Sequence, residues 1–243
     1  MNDKEKWDNW AKTRTDTEAV MMASSLIRKY RDYIEKKVLL PIFKKYINKN
    51  DIVLEMGCGN GRWIKRLEEN GIKKLIGIDF SKELIRQAKS KCKATFFISN
   101  SYGLCLSNSK FDNTVLLQVI PHNNIKKLRV ALNEACRVTK INGKIILMDE
   151  FVENDIEDVK KIMLKNNFKL VKIKPVRSEW LSRLITSLRK QFDKSYKESS
   201  TISTKNTWKH FIKVILEAPI DLLLLNILLK KLSLESVLVF NGR

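Results

Sequence analysis

The feature that most constrains how this chain can fold is residues 51–63, DIVLEMGCGNGRW, where a short apolar run ends on an acidic residue and opens at once into three glycines spaced two apart. The pattern predicts a strand, a turn and a helix start. Ile52, Val53 and Leu54 suit a strand buried on both faces. Gly57, Gly59 and Gly61 let the backbone bend sharply and approach a ligand closely, in space that bulkier side chains would fill. Helical spacing resumes at Ile64 and Leu67 and stops at Asn70-Gly71, a common helix exit.

Glycine-rich turns serve several ligands, and the details separate them. A dinucleotide fingerprint puts glycines at the first, third and sixth positions and sets a pyrophosphate on the helix N-terminus. Here the sixth position, counted from Gly57, is Arg62, and the strand ends on Glu55. A carboxylate facing the ligand calls for a partner with positive charge or hydrogen-bond donors rather than phosphates. Next comes KKLIGIDFSKELIRQAK, a second strand ending on Asp79, followed by Phe80 and a helix that Ser81 can cap. An acid at that place suits ribose hydroxyls.

The order E-x-G-x-G-x-G, then a strand ending in Asp, resembles the class I S-adenosylmethionine-dependent methyltransferases. The resemblance implies an α/β fold: a doubly wound, seven-stranded, mostly parallel, Rossmann-like sheet. It also implies S-adenosyl-L-methionine as cofactor and S-adenosyl-L-homocysteine as product. Carried over onto this sequence, the glycine loop with Glu55, Gly57, Cys58 and Gly59 lies against the methionine part, Asp79 holds the ribose hydroxyls and Phe80 packs on adenine. Residues 95–99, TFFIS, form a third strand running into Asn100, Ser101 and Tyr102, which the resemblance places beside the adenine. Where the family often has Asp, this chain has Asn100. Its amide oxygen can still accept from the adenine amino group; alternatively Asn100 supports a loop turn.

A fourth strand is expected over residues 113–117, with Phe111-Asp112 matching the family's Phe-Asp at its start. Its far end, Gln118-Val119-Ile120-Pro121-His122, falls at the carboxyl edge of the sheet, where open α/β folds hold ligands. Neither the Asn/Asp-Pro-Pro-aromatic motif of base-amine methyltransferases nor a Pro-Cys nucleophile is present there. Val-Ile-Pro-His instead resembles the Val-Leu-His-His type found with quinone, sterol, lipid and other small acceptors. Gln118 is a cofactor-facing candidate, and His122 is either the general base or a turn residue that bonds backbone. A helix over 124–140 and the polar turn Ile141-Asn142-Gly143 lead into the strand KIILMD. A helix near 156–166, the strand FKLVKIK and the closing ESVLVF, the family's antiparallel last strand, complete the alternation.

The chain divides into an N-terminal helical lid (1–50), a core sheet (51–176), a helical cap insertion (177–233) and the last strand (234–243), all within one expected domain. In the first segment, Val20, Met21, Ser24, Ile27 and Ile34 keep a helical repeat, and the apolar residues around Pro41 lead into a second helix. Trp7, Trp10, Arg14 and Tyr30 either line a lid over the cofactor or pack on the sheet's flank. The insertion, amphipathic around Trp180, Leu184 and Leu188 and apolar after Pro219, either caps a lipid-like or aromatic acceptor, rests on an anionic membrane surface, or packs as an ordinary hairpin.

The formal charge of +20 comes from lysines and arginines spread through every segment. Such a spread indicates solubility or loose attraction to polyanions more than a defined groove. RNA is therefore the alternative acceptor, and a cofactor-binding subunit without its own activity is a further alternative. Cys58, Cys92, Cys105 and Cys136 form no C-x-x-C pair and the histidines are only His122 and His210, a composition that suggests neither a metal site nor a disulfide framework. The polar start MNDKEKWDNW lacks a signal-like apolar core, and PIDLLLLNILL is short and broken by Asp221 and Asn226. A cytoplasmic protein without a membrane span is expected.

Overall fold

The computed structural model describes residues 3–21, 25–119, 125–151, 153–178 and 233–242. The apolar run at the glycine stretch forms β1 (Ile52–Met56), and its two faces diverge at once: Val53 enters one core and Leu54 the other. Six more strands join it: β2 (Lys74–Asp79), β3 (Thr95–Ile98), β4 (Phe111–Leu117), β5 (Thr139–Glu150), β6 (Phe168–Ser178) and β7 (Ser233–Gly242). They lie in the order β3-β2-β1-β4-β5-β7-β6. The five strands from β3 to β5 are parallel neighbours, and β7 enters antiparallel between β5 and β6. The sheet is thus the expected mostly parallel, Rossmann-like one.

Helices cover both faces. On one side α3 (Ser25–Tyr46), α4 (Arg62–Glu69) and α5 (Lys82–Lys91) bury Leu39, Phe43, Trp63, Ile64, Leu67 and Ile85 against Val53, Val115, Ile146 and Val239. On the other, α6 (Ile125–Val138) and α7 (Glu153–Lys165) bury Leu128, Leu132, Val159 and Met163 against Leu54, Leu116, Ile145 and Leu238. Two short helices, α1 (Asp3–Lys12) and α2 (Asp16–Val20), precede them and meet α5 through Ala11, Ala19 and Leu84.

Two local expectations change. The segment around Pro41 does not start a new helix, because α3 runs through it from Ser25 to Tyr46. A proline removes one helical bond, here that to the Lys37 carbonyl, and both Pro41 and Lys37 face solvent, where water can satisfy that carbonyl. Burial of Val38, Leu39, Ile42 and Phe43 then holds the helix together. The turn at Ile141-Asn142-Gly143 is absorbed into β5 as an irregularity: the pairing jumps from Phe111–Thr139 to Asn113–Lys144, so the extra residues bow out of the ladder.

Chain order sets where a ligand can sit. From β1 the strands proceed outward to β2 and β3, then return to β4 and β5 on the other side of β1. The order therefore reverses between β1 and β4, and a crevice opens at their carboxyl ends. No helix among the described residues is long and apolar enough to cross a membrane.

Candidate functional site

The crevice is built by the glycine loop after β1. Gly57 and Gly59 both hold positive φ, 71° and 54°. A β-carbon at Gly57 would come within 2.7 Å of Val119 and one at Gly59 within 2.8 Å of Val20, so the loop passes where only glycine fits. Cys58 N–H donates to the Ile78 carbonyl at 2.9 Å, tying the loop to the end of β2.

Glu55 sits near the end of β1 and is 2 % exposed. The first turn of α4 starts at Gly61, which offers no capping side chain, and Glu55 supplies the missing acceptor by taking the Ile64 N–H. Its other oxygen, Oε2, is buried without a hydrogen-bond partner. Burial pushes the Glu55 carboxyl up to about 8, against the pull of Arg62 and with a smaller push from Asp79.

Asp79 ends β2 and is also buried. Its Oδ2 accepts from Gly59 N–H and its Oδ1 from Ser81 N–H, each at 2.9 Å. Burial raises Asp79 to about 6, while these backbone donors pull the other way and Asp8 adds a small push upward. Ser81 caps α5 as expected, its hydroxyl accepting from Leu84 N–H at 3.2 Å.

These groups wall one cavity of about 120 Å³. Glu55, Gly57, Cys58, Gly59, Asp79, Phe80, Ser101, Tyr102 and Gln118, all singled out from sequence, stand on its wall. Asn100 does not: it is exposed, and its Oδ1 accepts from Tyr102 N–H at 2.7 Å, closing a turn. His122 lies outside the described residues, as does nearly all of the insertion, 179–232. Of the four N-terminal candidates, Trp7 reaches the wall. Trp10 instead donates from Nε1 to the Glu18 carbonyl at 2.8 Å and carries the Arg14 guanidinium 3.7 Å from its ring centre.

Sequence reasoning missed Val20, Arg62, Trp63, Leu84 and Leu117 on this wall. Arg62 could have been found, because the first residue of a helix that follows a glycine loop faces the loop's ligand side. Chemically, two buried carboxylates repel phosphate and favour a ligand rich in donors. Glu55 Oε2 offers an acceptor in want of a cation or N–H, and Asp79 offers acceptors beside a backbone-lined turn suited to hydroxyls. The residues present fit an aminoacyl nucleoside, and they do not fit a dinucleotide pyrophosphate.

Residues 53–143 match the family model described as a methyltransferase domain. An uncharacterized protein of Methanocaldococcus jannaschii is 33 % identical over 155 residues, covering 62 % of this chain and 57 % of that protein, so the chain spans little more than half of its length. Among solved structures, a protein of Pyrococcus horikoshii OT3 superposes over 100 % of both chains with TM-score 0.59 at 18 % identity. Magnesium protoporphyrin IX methyltransferase of Synechocystis PCC 6803, solved with bound S-adenosylmethionine, superposes over 74 % of this chain and 92 % of its own with TM-score 0.56 at 16 % identity. Those likenesses establish a shared fold. Residues 53–143 are thus similar to a methyltransferase domain, and they lie on a sheet with the strand order of the Rossmann-like methyltransferase fold.

Proposed function

We propose that the chain transfers the methyl group of S-adenosylmethionine to a small or lipid-like acceptor by direct in-line displacement, releasing S-adenosylhomocysteine. The observation that carries this reading is Glu55, a buried carboxylate with one oxygen lacking any partner in the wall of the crevice. Such an atom is costly unless a ligand donor reaches it, and the amino group of the methionine moiety is that donor. Asp79 holds the ribose hydroxyls, Phe80 lies on adenine, and Ser101 and Tyr102, with Asn100 behind them, border the base. Gln118 stands at the reacting end.

The cofactor supplies an electrophilic methyl carbon on a sulfonium sulfur. The protein's share is to align the acceptor with the carbon–sulfur bond, so that an acceptor lone pair forms the new bond as the neutral thioether departs. His122 takes the acceptor's proton where the acceptor is a hydroxyl or an activated carbon. Magnesium protoporphyrin IX, named for the Synechocystis neighbour, is a small acceptor of this kind.

Titration calorimetry with purified protein tests the reading. S-adenosylhomocysteine is expected to bind and NAD to give no heat, and Glu55→Gln is expected to weaken the former by about tenfold or more, the loss of a charge-assisted bond. Heat from NAD with none from S-adenosylhomocysteine would end the proposal. A second reading, in which the acceptor is RNA, draws on the formal charge of +20.

A further inference from the structure

Between β3 and β4 the chain runs from Ser99 to Lys110 without helix or strand, and it carries two wall residues of the crevice, Ser101 and Tyr102. Backbone without regular structure needs hydrogen-bond partners from elsewhere. At the near end, Ser99 N–H donates to the Asp79 carbonyl at 2.9 Å, continuing the pairing of β3 with β2. Asn100 Oδ1 then accepts from Tyr102 N–H at 2.7 Å. A β-carbon at Gly103 would meet nothing within 4 Å, so the segment has open space beside it there.

The far end is held by one ion pair on α6. Arg137 forks onto Glu134, Nε to Oε1 and Nη2 to Oε2, each at 2.8 Å. Nη2 also donates to the Leu104 carbonyl at 3.0 Å, and Nη1 donates to the Leu106 carbonyl at 2.8 Å and to Asn108 Oδ1 at 2.6 Å. All five N–H groups of the guanidinium are thus used. Glu134 Oε2 accepts from Leu104 N–H at 2.7 Å, so the pair takes both backbone polar groups of Leu104, as a neighbouring strand would. The carbonyls of Arg137 and Val138, in the last turn of α6, accept from Ser109 and Lys110 N–H at 2.9 and 2.8 Å. The Arg137 hydrogen bond holds the Glu134 carboxyl below its usual range, against burial and with help from Leu104 N–H.

We propose that Glu134 and Arg137 are positioning residues for the base-side wall of the crevice. By fixing Leu104, two residues beyond Tyr102, they hold residues 100–102 where the polar groups of that span meet the edge of adenine, and so set the preference for that base. This rests on the ligand reading under Proposed function and adds to it two residues that are not among those walling the crevice. A wall displaced by about 1 Å loses a hydrogen bond of good geometry. Lysine cannot replace the arginine, because a single ammonium does not reach a carboxylate and three further acceptors spread over residues 104–108.

The test compares two probes by calorimetry, S-adenosylhomocysteine and S-inosylhomocysteine. In the second, an oxo group replaces the exocyclic amine and the ring nitrogen beside it carries a proton, so donor and acceptor trade places. Wild type is expected to prefer the adenosyl probe by roughly tenfold or more. Arg137→Met, which keeps the stem but no donor, should weaken binding of the adenosyl probe and bring the two affinities to within about threefold. Arg137→Lys, which keeps the charge without the fork, should fall between, and it guards against a Met variant that does not fold. A lowered melting temperature would follow from any structural role, whereas the ratio of the two affinities is what a merely structural role leaves in place. A ratio undiminished in either folded variant, or a wild type that takes both probes equally, overturns the positioning role and leaves the ligand reading intact. No binding of either probe to wild type overturns both.

Discussion

At the scale of single residues, the site is a set of acids held where water cannot reach them. Glu55 and Asp79 titrate at about 8 and about 6 because burial disfavours their charged forms. The folded protein therefore binds their protons more tightly than the unfolded chain does. This contribution to stability is fully present below the ordinary carboxylate range, and it is lost as pH rises through about 6 for Asp79 and through about 8 for Glu55. The melting temperature of the ligand-free wild type is expected to fall relative to Glu55→Gln between about pH 5 and pH 8.5, at a cost of about 1.4 kcal/mol per unit of displaced pKa. Saturating S-adenosylhomocysteine should flatten the difference, since an ammonium beside Glu55 favours the carboxylate, and binding near pH 7 should release a proton, seen as a binding heat that depends on the buffer's ionisation enthalpy. A difference independent of pH would mean that Glu55 is ionised throughout. Both acids were legible in the sequence, because each closes an apolar run beside a turn. The pairing of Arg62 with Glu35 was not, since 27 positions separate them and only the packing of α3 on α4 brings them together.

At the scale of elements, the strands of the core followed from their apolar runs, and the glycine loop from its spacing, because both are local signals. The path of residues 3–20 is set by contacts no repeat announces. α1 and α2 are largely polar, and side chains of the core reach out to hold their backbone. Gln87 on α5 donates from Nε2 to the Ala11 and Arg14 carbonyls at 2.9 and 2.8 Å, adding a side-chain donor where α1 ends. Asn60 Nδ2 donates to the Asp16 carbonyl at 2.7 Å, and Ser81 Oγ donates to Asp8. This strap carries Trp7 and Val20 into the wall of a 120 Å³ cavity. Pockets that bury a ligand of nucleoside size run to roughly 300 Å³ or more, and an outward shift of the strap would make room for one. Its own apolar packing is small, Ala11, Ala19 and Leu84 with Trp7 and Val20 beside them, so an opening motion forfeits little burial. Gln87→Ala, which removes the donor shared by the Ala11 and Arg14 carbonyls at about 1 kcal/mol, should therefore speed amide exchange over residues 3–20 and quicken S-adenosylhomocysteine release. Exchange in β1 and β4 should stay unchanged. Equal acceleration in the core strands would show the strap to be part of the global unit rather than a separately opening one.

At the scale of the whole molecule, the reversal of strand order beside β1 places the crevice, and two layers of helices flank the sheet that carries it, but neither says what approaches it. Charge is the one global property that bears on the acceptor. A chain with 47 basic and 27 acidic side chains attracts polyanions whatever reaction it performs. RNA retention alone is therefore no evidence of an RNA acceptor. What separates the readings is whether methyl transfer follows the retention. With some six to ten phosphate contacts, RNA affinity falls by roughly a thousandfold or more between 50 and 200 mM salt. An uncharged or singly charged acceptor held in a shielded crevice feels the same change in screening only weakly. Labelled methyl uptake measured in cell extract at both salt concentrations, with the RNA and the low-polarity fraction counted separately, is expected to appear in the low-polarity fraction and to change less than about twofold, while RNA retention collapses. Label that enters RNA and vanishes with the retention would move the acceptor to RNA and give the dispersed lysines a part in delivering it.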